Sequence, residues 1–168
     1  MSTLTKEEYW AKIDQLKAKY EDFCEPAPVK VLNLIMKREF AEQILRGEKK
    51  IEFRPYSQHY CDRLFDRKVT EFMNNHCDDD DVVTYCDDMR PVKKIHFHNY
   101  NNSWHLDCKC NLASDIAADD EGVDFLHKEY GCNELDALNA QVKSTKGMNY
   151  PMFFFFVLGE IIDTDLNV

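Results

Sequence analysis

The run Val29-Lys30-Val31-Leu32-Asn33-Leu34-Ile35, continued by Lys37 to Arg46 and then by Gly47-Glu48-Lys49-Lys50-Ile51-Glu52-Phe53-Arg54, changes its hydrophobic period twice. Val29, Val31, Leu32, Leu34 and Ile35 are apolar at nearly every position, as in a strand covered on both faces. From Lys37 the apolar residues Phe40, Ile44 and Leu45 recur at helical spacing, so a short helix is predicted to Arg46. Arg46 suits its C-terminal dipole, and Gly47 supplies the left-handed conformation that closes it. Lys49 to Arg54 then alternates as a second strand. In a regular strand Lys49, Ile51 and Phe53 face one side, and Lys50, Glu52 and Arg54 the other. Pro55 ends the strand, and Ser57 to Phe65 reads as a further short helix.

Upstream, Thr5 to Phe23 reads as an amphipathic helix. Thr5 and Glu8 fit a capping box, and Tyr9, Ile13, Leu16, Tyr20 and Phe23 make one stripe. Glu25-Pro26-Ala27-Pro28 stops it. Downstream, Asp78-Asp79-Asp80-Asp81 with Asp87-Asp88 reads as a solvated acidic loop, because adjacent like charges resist folding and a calcium loop alternates its ligands around a glycine. Val92 to His98 and Trp104 to Cys110 form a hairpin around Asn99 to Ser103. Ala113 to Gly131 and Asn133 to Lys143 are helical or irregular, and Met152 to Ile162 is a closing strand interrupted at Gly159. The expected organisation is an N-terminal helical appendage, 1–28, and a main domain, 29–168, with an Asp-rich insertion around 76–90.

At 168 residues with 44% hydrophobic and 12% aromatic content, the chain can bury a core and is not disordered. No apolar run approaches a membrane span, and Met1 to Glu8 has neither a basic nor an apolar leader region. Seven cysteines, an odd number, fit reduced thiols and a cytoplasmic location. The net charge of −10 disfavours whole-protein attraction to nucleic acid. It is uneven: residues 29–70 hold ten bases against six acids, while 71–168 hold seven against nineteen. A local basic segment can focus an anionic ligand within an acidic body.

Gly47 to Arg54 has the form G-x-K-x-x-E-x-R, placed where a helix ends and a strand begins. Lys49 and Arg54 offer donors to a phosphate or a base carbonyl, arginine in a planar fork. Glu52 can accept from an exocyclic amine or carry a proton. Because strand alternation sets Lys49 apart from Glu52 and Arg54, a bend at the corner is needed to unite them. With Val31-Leu32-Asn33-Leu34 and the helix before it, this pattern resembles the ASCH domain family. The mid-chain hairpin with Phe97 and Asn99 and the last strand, Val157-Leu158-Gly159-Glu160-Ile161-Ile162, are compatible with it.

The resemblance implies an α+β fold: a PUA-like small mixed β-barrel of five or six strands with flanking helices, here with an extra N-terminal helix. It implies a cleft beside the motif and binding of RNA or a modified nucleoside. The residues themselves nominate Lys37, Lys49, Glu52, Arg54 and Tyr56 as ligand-binding, with Tyr60, Tyr100 and Trp104 as further rings that could stack a base, and no cofactor is expected. One branch of the family hydrolyses N4-acetylcytidine with a lysine-activated threonine. Lys49 matches that lysine, but Glu52 stands at the threonine position, and a carboxylate does not simply replace a hydroxyl. Lys49 and Glu52 are thus the candidate catalytic pair of an alternative hydrolase reading. A third reading is a protein-interaction module using the acidic surface or the N-terminal helix. His96 and His98 opposite Cys108 and Cys110 could make a tetrahedral zinc site, although one-residue spacing on flat strands is poor for convergence.

Overall fold

The computed structural model describes residues 4–145 and 149–167; residues 1–3, on which the leader reading partly rests, lie outside them. The chain divides into two compact units, one of residues 1–28 and 61–91 and one of 29–60 and 92–168. The first is wholly helical apart from one isolated bridge, and the second carries the sheet. No helix among the described residues is long and apolar enough to cross a membrane.

In the helical unit, α1 (Lys6–Lys19) begins with the expected capping box: the Glu8 amide donates to the Thr5 hydroxyl, and the Thr5 amide to the Glu8 carboxylate. The helix stops at Tyr20, short of the predicted Phe23, but the apolar stripe continues into the turn. Ile13 and Leu16 are buried, and the Tyr20 and Phe23 rings lie edge-on to Phe72, at 5.7 and 5.4 Å. Phe72 belongs to α4 (Arg67–Asn75), a helix the sequence reading lacked; Asp66 caps it through the amides of Lys68 and Val69. The acidic run is not a plain loop. Asp79 caps α5 (Asp80–Tyr85), accepting from the Asp81 amide, and Asp80 and Asp81 fill its first turn, where the helix dipole favours negative charge. Val82 carries α5 into the same core as Leu16 and Phe72. Arg90 draws the unit's segments together by donating to the carbonyls of Ala27, Pro28 and Arg63.

Among its described residues the sheet unit holds five strands: β1 (Val29–Ile35), β2 (Ile51–Pro55), β3 (Val92–His98), β4 (His105–Ala117) and β5 (Met152–Thr164), in the order β1-β3-β4-β5-β2. β1 and β3 are parallel and the other neighbours antiparallel. No ladder joins β1 to β2, so the sheet is mixed and not closed. The hairpin is present, but β4 runs seven residues beyond the predicted Cys110, carried across register shifts between Asp107 and Leu112. Such irregularities bend a long strand. Likewise β5 continues through Gly159 and leaves room there for the Asn111 side chain.

At Phe154 to Phe156, β5 is buried on both faces. Phe155 packs with Ile51, Ile116, Leu126 and Leu135, beneath α6 (Asp120–Tyr130) and the turn before α7 (Asp136–Lys143). Phe154 and Phe156 project from the opposite face and are fully buried. Before β2 comes α2 (Arg38–Leu45), and after it α3 (Gln58–Leu64), which crosses the division between the units.

Candidate functional site

The corner between α2 and β2 creates the bend that Lys49 requires. Gly47 has φ +77°, and the amides of both Glu48 and Lys49 donate to the Gln43 carbonyl, at 2.9 and 3.2 Å. The Lys49 backbone therefore still belongs to the end of the helix. The ladder begins only at Ile51, two residues beyond the predicted start. Strand alternation does not apply to Lys49, and its ammonium returns to the Glu52 side.

Lys49 Nζ stands 3.7 Å from Glu52 Oε1, and Arg54 Nη2 donates to Glu52 Oε2 at 3.2 Å. The Glu52 carboxylate also accepts from the Phe53 amide at 2.9 Å. These are not surface ion pairs: Lys49 and Glu52 are each only 8% exposed. Cross-strand register puts Glu52 opposite Phe156 and Arg54 opposite Phe154, so the charged groups share a sheet face with two fully buried rings. Burying ions is costly, and a pair of this kind repays the cost only when its remaining hydrogen-bonding capacity is filled.

Three groups do much of that filling, and of these the sequence points only to Tyr60, as a stacking ring and not as a partner of Arg54. Glu134, 85 residues beyond Lys49, accepts from its ammonium at 3.0 and 3.2 Å. It is delivered by the turn after α6, where Gly131 takes φ +62°. Arg54 Nη2 donates to the Ile35 carbonyl at 2.9 Å, and Nη1 to the Tyr60 hydroxyl at 3.3 Å. The Ile35 bond runs from β2 to β1, the two edges of the open sheet. Arg54 Nε is buried and has no acceptor among the described residues. No local pattern marks Glu134 as a site residue; only the left-handed glycine that turns the chain back hints at it.

The other predicted site residues divide. Tyr56 lies beside the network: its ring stacks on Phe154 at 4.4 Å, and its hydroxyl donates to Asp115. Lys37 does not join the network; its side chain is exposed at the head of α2 and makes no described bond to the other motif residues. A cavity of about 250 Å³ opens between the Gly47 and Gly131 turns, with Lys50, Tyr130, Asn133 and Glu134 in its wall. Glu134 thus faces both the cavity and Lys49.

The zinc constellation is taken apart by register. His96 pairs with Asp107, whereas Cys108 pairs with Ile95. Facing residues share a side of the sheet, so Cys108 projects away from His96 and His98 into the core, where burial pushes its thiol up to about 12. Cys110 is pushed up to about 11 by burial and donates to the Leu112 carbonyl. Among the described residues no three histidine, cysteine or carboxylate groups are placed to hold a metal. On the outer face His96 instead bonds Asp107, and His105 bonds Asp163 at 2.8 Å.

Comparison of the chain with protein-family models, curated proteins and solved structures finds no match.

Proposed function

We propose that the sheet unit is a PUA-like domain of the ASCH type that recognises a nucleoside, free or within RNA, beside Lys49, Glu52 and Arg54. The observation that carries this reading is the convergence of an ammonium, a carboxylate and a guanidinium at the helix–strand corner, where they are largely withdrawn from water. Stability alone does not favour such a network over apolar packing. Arg54 Nε, buried and with no acceptor among the described residues, leaves part of the network's hydrogen-bonding capacity unfilled. The Arg54–Ile35 bond between the sheet's two edges suits a barrel-like curl. Tyr56, held against the buried Phe154 ring and itself exposed, offers its outer ring face for base stacking. The cavity beside Glu134 does not have Lys49, Glu52 or Arg54 in its wall, and Glu134, which accepts from Lys49, is what links it to the network; its size suits a nucleoside better than a long strand.

Charge distribution removes the tension between an acidic protein and such a ligand. Residues 29–60 carry seven bases and four acids, and the excess acid lies elsewhere. The hydrolase alternative is less well supported. Lys49 Nζ is already engaged by both Glu134 oxygens and faces Glu52, so in this arrangement it is not free to engage a nucleophile.

Calorimetric titration with cytidine, N4-acetylcytidine and a short single-stranded RNA at low salt tests the reading. Arg54→Ala and Lys49→Ala, checked for folding by circular dichroism, are expected to weaken binding about tenfold or more. Unchanged affinity in both folded variants refutes the site. Release of acetate from N4-acetylcytidine that disappears in Lys49→Ala would replace it with the hydrolase reading.

A further inference from the structure

We propose that the α1–α5 edge of the helical unit is a docking surface for a lysine- and arginine-rich segment of a protein partner. The first observation is an exposed aromatic row. Trp10 is 48% exposed and Tyr9 36%. The Tyr9 ring lies edge-on to Trp10 at 5.3 Å and to Tyr85 at 6.3 Å, and its hydroxyl donates to the Tyr85 carbonyl. Single exposed rings are ordinary, but a cluster of tryptophan and tyrosine is the composition of an interface hot spot.

The second observation is the charge around this row. On α1, Glu7 and Asp14 stand three residues before and four after Trp10, on its side of the helix. Asp87 and Glu25 lie close enough to Tyr9 to help burial raise its hydroxyl above the usual phenol range. Asp81 completes the rim beside Tyr85, against three bases, Lys6, Lys12 and Lys17, of which Lys12 pairs with Asp81 and Lys17 with Glu25. Over the whole unit, eight bases face fifteen acids, so a net −7 of the chain's −10 belongs to these 59 residues. Carboxylates and the faces of aromatic rings attract the same kind of ligand, a cation.

The third observation is that the unit already binds lysine in this manner within itself. Lys12 Nζ sits 5.9 Å from the Tyr85 ring centre and 3.8 Å from Asp81. About two turns further along α1, Lys19 Nζ sits 5.2 Å from the Tyr20 ring and 2.8 Å from Asp79. A partner's lysines and arginines would repeat this pairing of ring and carboxylate along Tyr9 and Trp10. An apolar residue between them would cover the indole. Charge and rings together select a basic protein segment over a nucleic acid, whose phosphates this rim repels.

The test uses the full-length chain and a synthetic peptide of Lys-Leu-Arg repeats, with a Glu-Leu-Glu repeat as control. Trp104 is only 4% exposed, so acrylamide quenching of tryptophan fluorescence reports mainly on Trp10. The basic peptide is expected to protect Trp10 from quenching, and its affinity to fall as salt rises. By anisotropy of the labelled peptide, Trp10→Ala weakens binding about tenfold, as does the double reversal Glu7→Lys with Asp14→Lys. Both variants change exposed side chains and are expected to fold. Undiminished binding in the two folded variants overturns the proposal, as does equal binding of the acidic control. If Trp10→Ala instead turns a dimer into a monomer on gel filtration, the edge is a self-association surface and the proposal fails. The proposal fails equally if Trp10→Ala abolishes binding of single-stranded RNA and spares the peptide.

Discussion

Glu52 holds two cations and one backbone amide at once, and the sequence offered the three motif residues without their arrangement. Type and spacing made Lys49, Glu52 and Arg54 recognisable; convergence depended on the Gln43 carbonyl keeping Lys49 out of the ladder. Removing the carboxylate with Glu52→Ala leaves Lys49 with Glu134, and Arg54 with Ile35 and Tyr60. Two partly compensated cations then remain buried, so the expected loss is about 3 kcal/mol in urea unfolding. A change under about 0.5 kcal/mol would mean the network is solvated. A second residue-scale expectation concerns pH. His105 is held protonated above the usual imidazole range, mainly by its hydrogen bond to Asp163, then by the charges of Asp165 and Asp107. A raised folded value stabilises fully below about pH 6.5, where the unfolded imidazole is also protonated. That stabilisation disappears as pH rises through the folded value. In an NMR titration Asp163→Asn is expected to lower the His105 midpoint. Because Asp163 is largely exposed, added salt should shrink the difference. An unchanged midpoint refutes the assignment.

Elements were legible where periodicity was strong and local. The capping box of α1, strand β1, helix α2 and the β3–β4 hairpin stand close to where the sequence put them. Errors arose where tertiary packing decided. Asp78 to Asp81 repel one another in isolation, yet Asp79 can cap α5 because Lys19 and Tyr20 engage its carboxylate, which stays far below the usual range. β4 reads as irregular past Cys110 because its register shifts break the two-residue alternation while the strand continues. The α6 packing gives a test at this scale. A Cβ on Gly122 would overlap the Ala117 carbonyl oxygen and crowd Ile116, both held by β4, so Gly122→Ala is expected to cost about 2 kcal/mol or more. At Gly159 the obstruction is the Asn111 side chain, which can turn away, so Gly159→Ala should cost under about 1 kcal/mol. Thermal unfolding of the two variants compares them directly; equal losses would contradict this account of α6 against β4.

For the whole molecule, composition announced an acidic protein but not how its charge is apportioned. Linear segments placed the excess after residue 71, whereas the fold assembles residues 1–28 with 61–91 and leaves the sheet unit at −3. No reading along the chain could supply that grouping, because it depends on two distant stretches sharing one core of Leu16, Phe72 and Val82. Concentrating −7 in 59 residues opposes compaction through mutual repulsion, most strongly at low salt. Repulsion between exposed charges acts over about 30 Å at 0.01 M salt but only over about 8 Å at 0.15 M, so sodium chloride over that range should raise the urea midpoint. Asp78 is the position at which to test the cause. Asp79 caps α5, and Asp80 and Asp81 sit in its first turn, so altering them would confound charge with helix capping. Asp78 is exposed and precedes the cap. Asp78→Lys brings the unit from −7 to −5 without removing a helix-end bond, and is expected to raise the midpoint at low salt and flatten its rise with added salt. A steeper dependence in the variant, or none in the parent, would show that local ion pairs such as Lys19 with Asp79 and Lys17 with Glu25, and not the summed charge, govern the unit's response to salt.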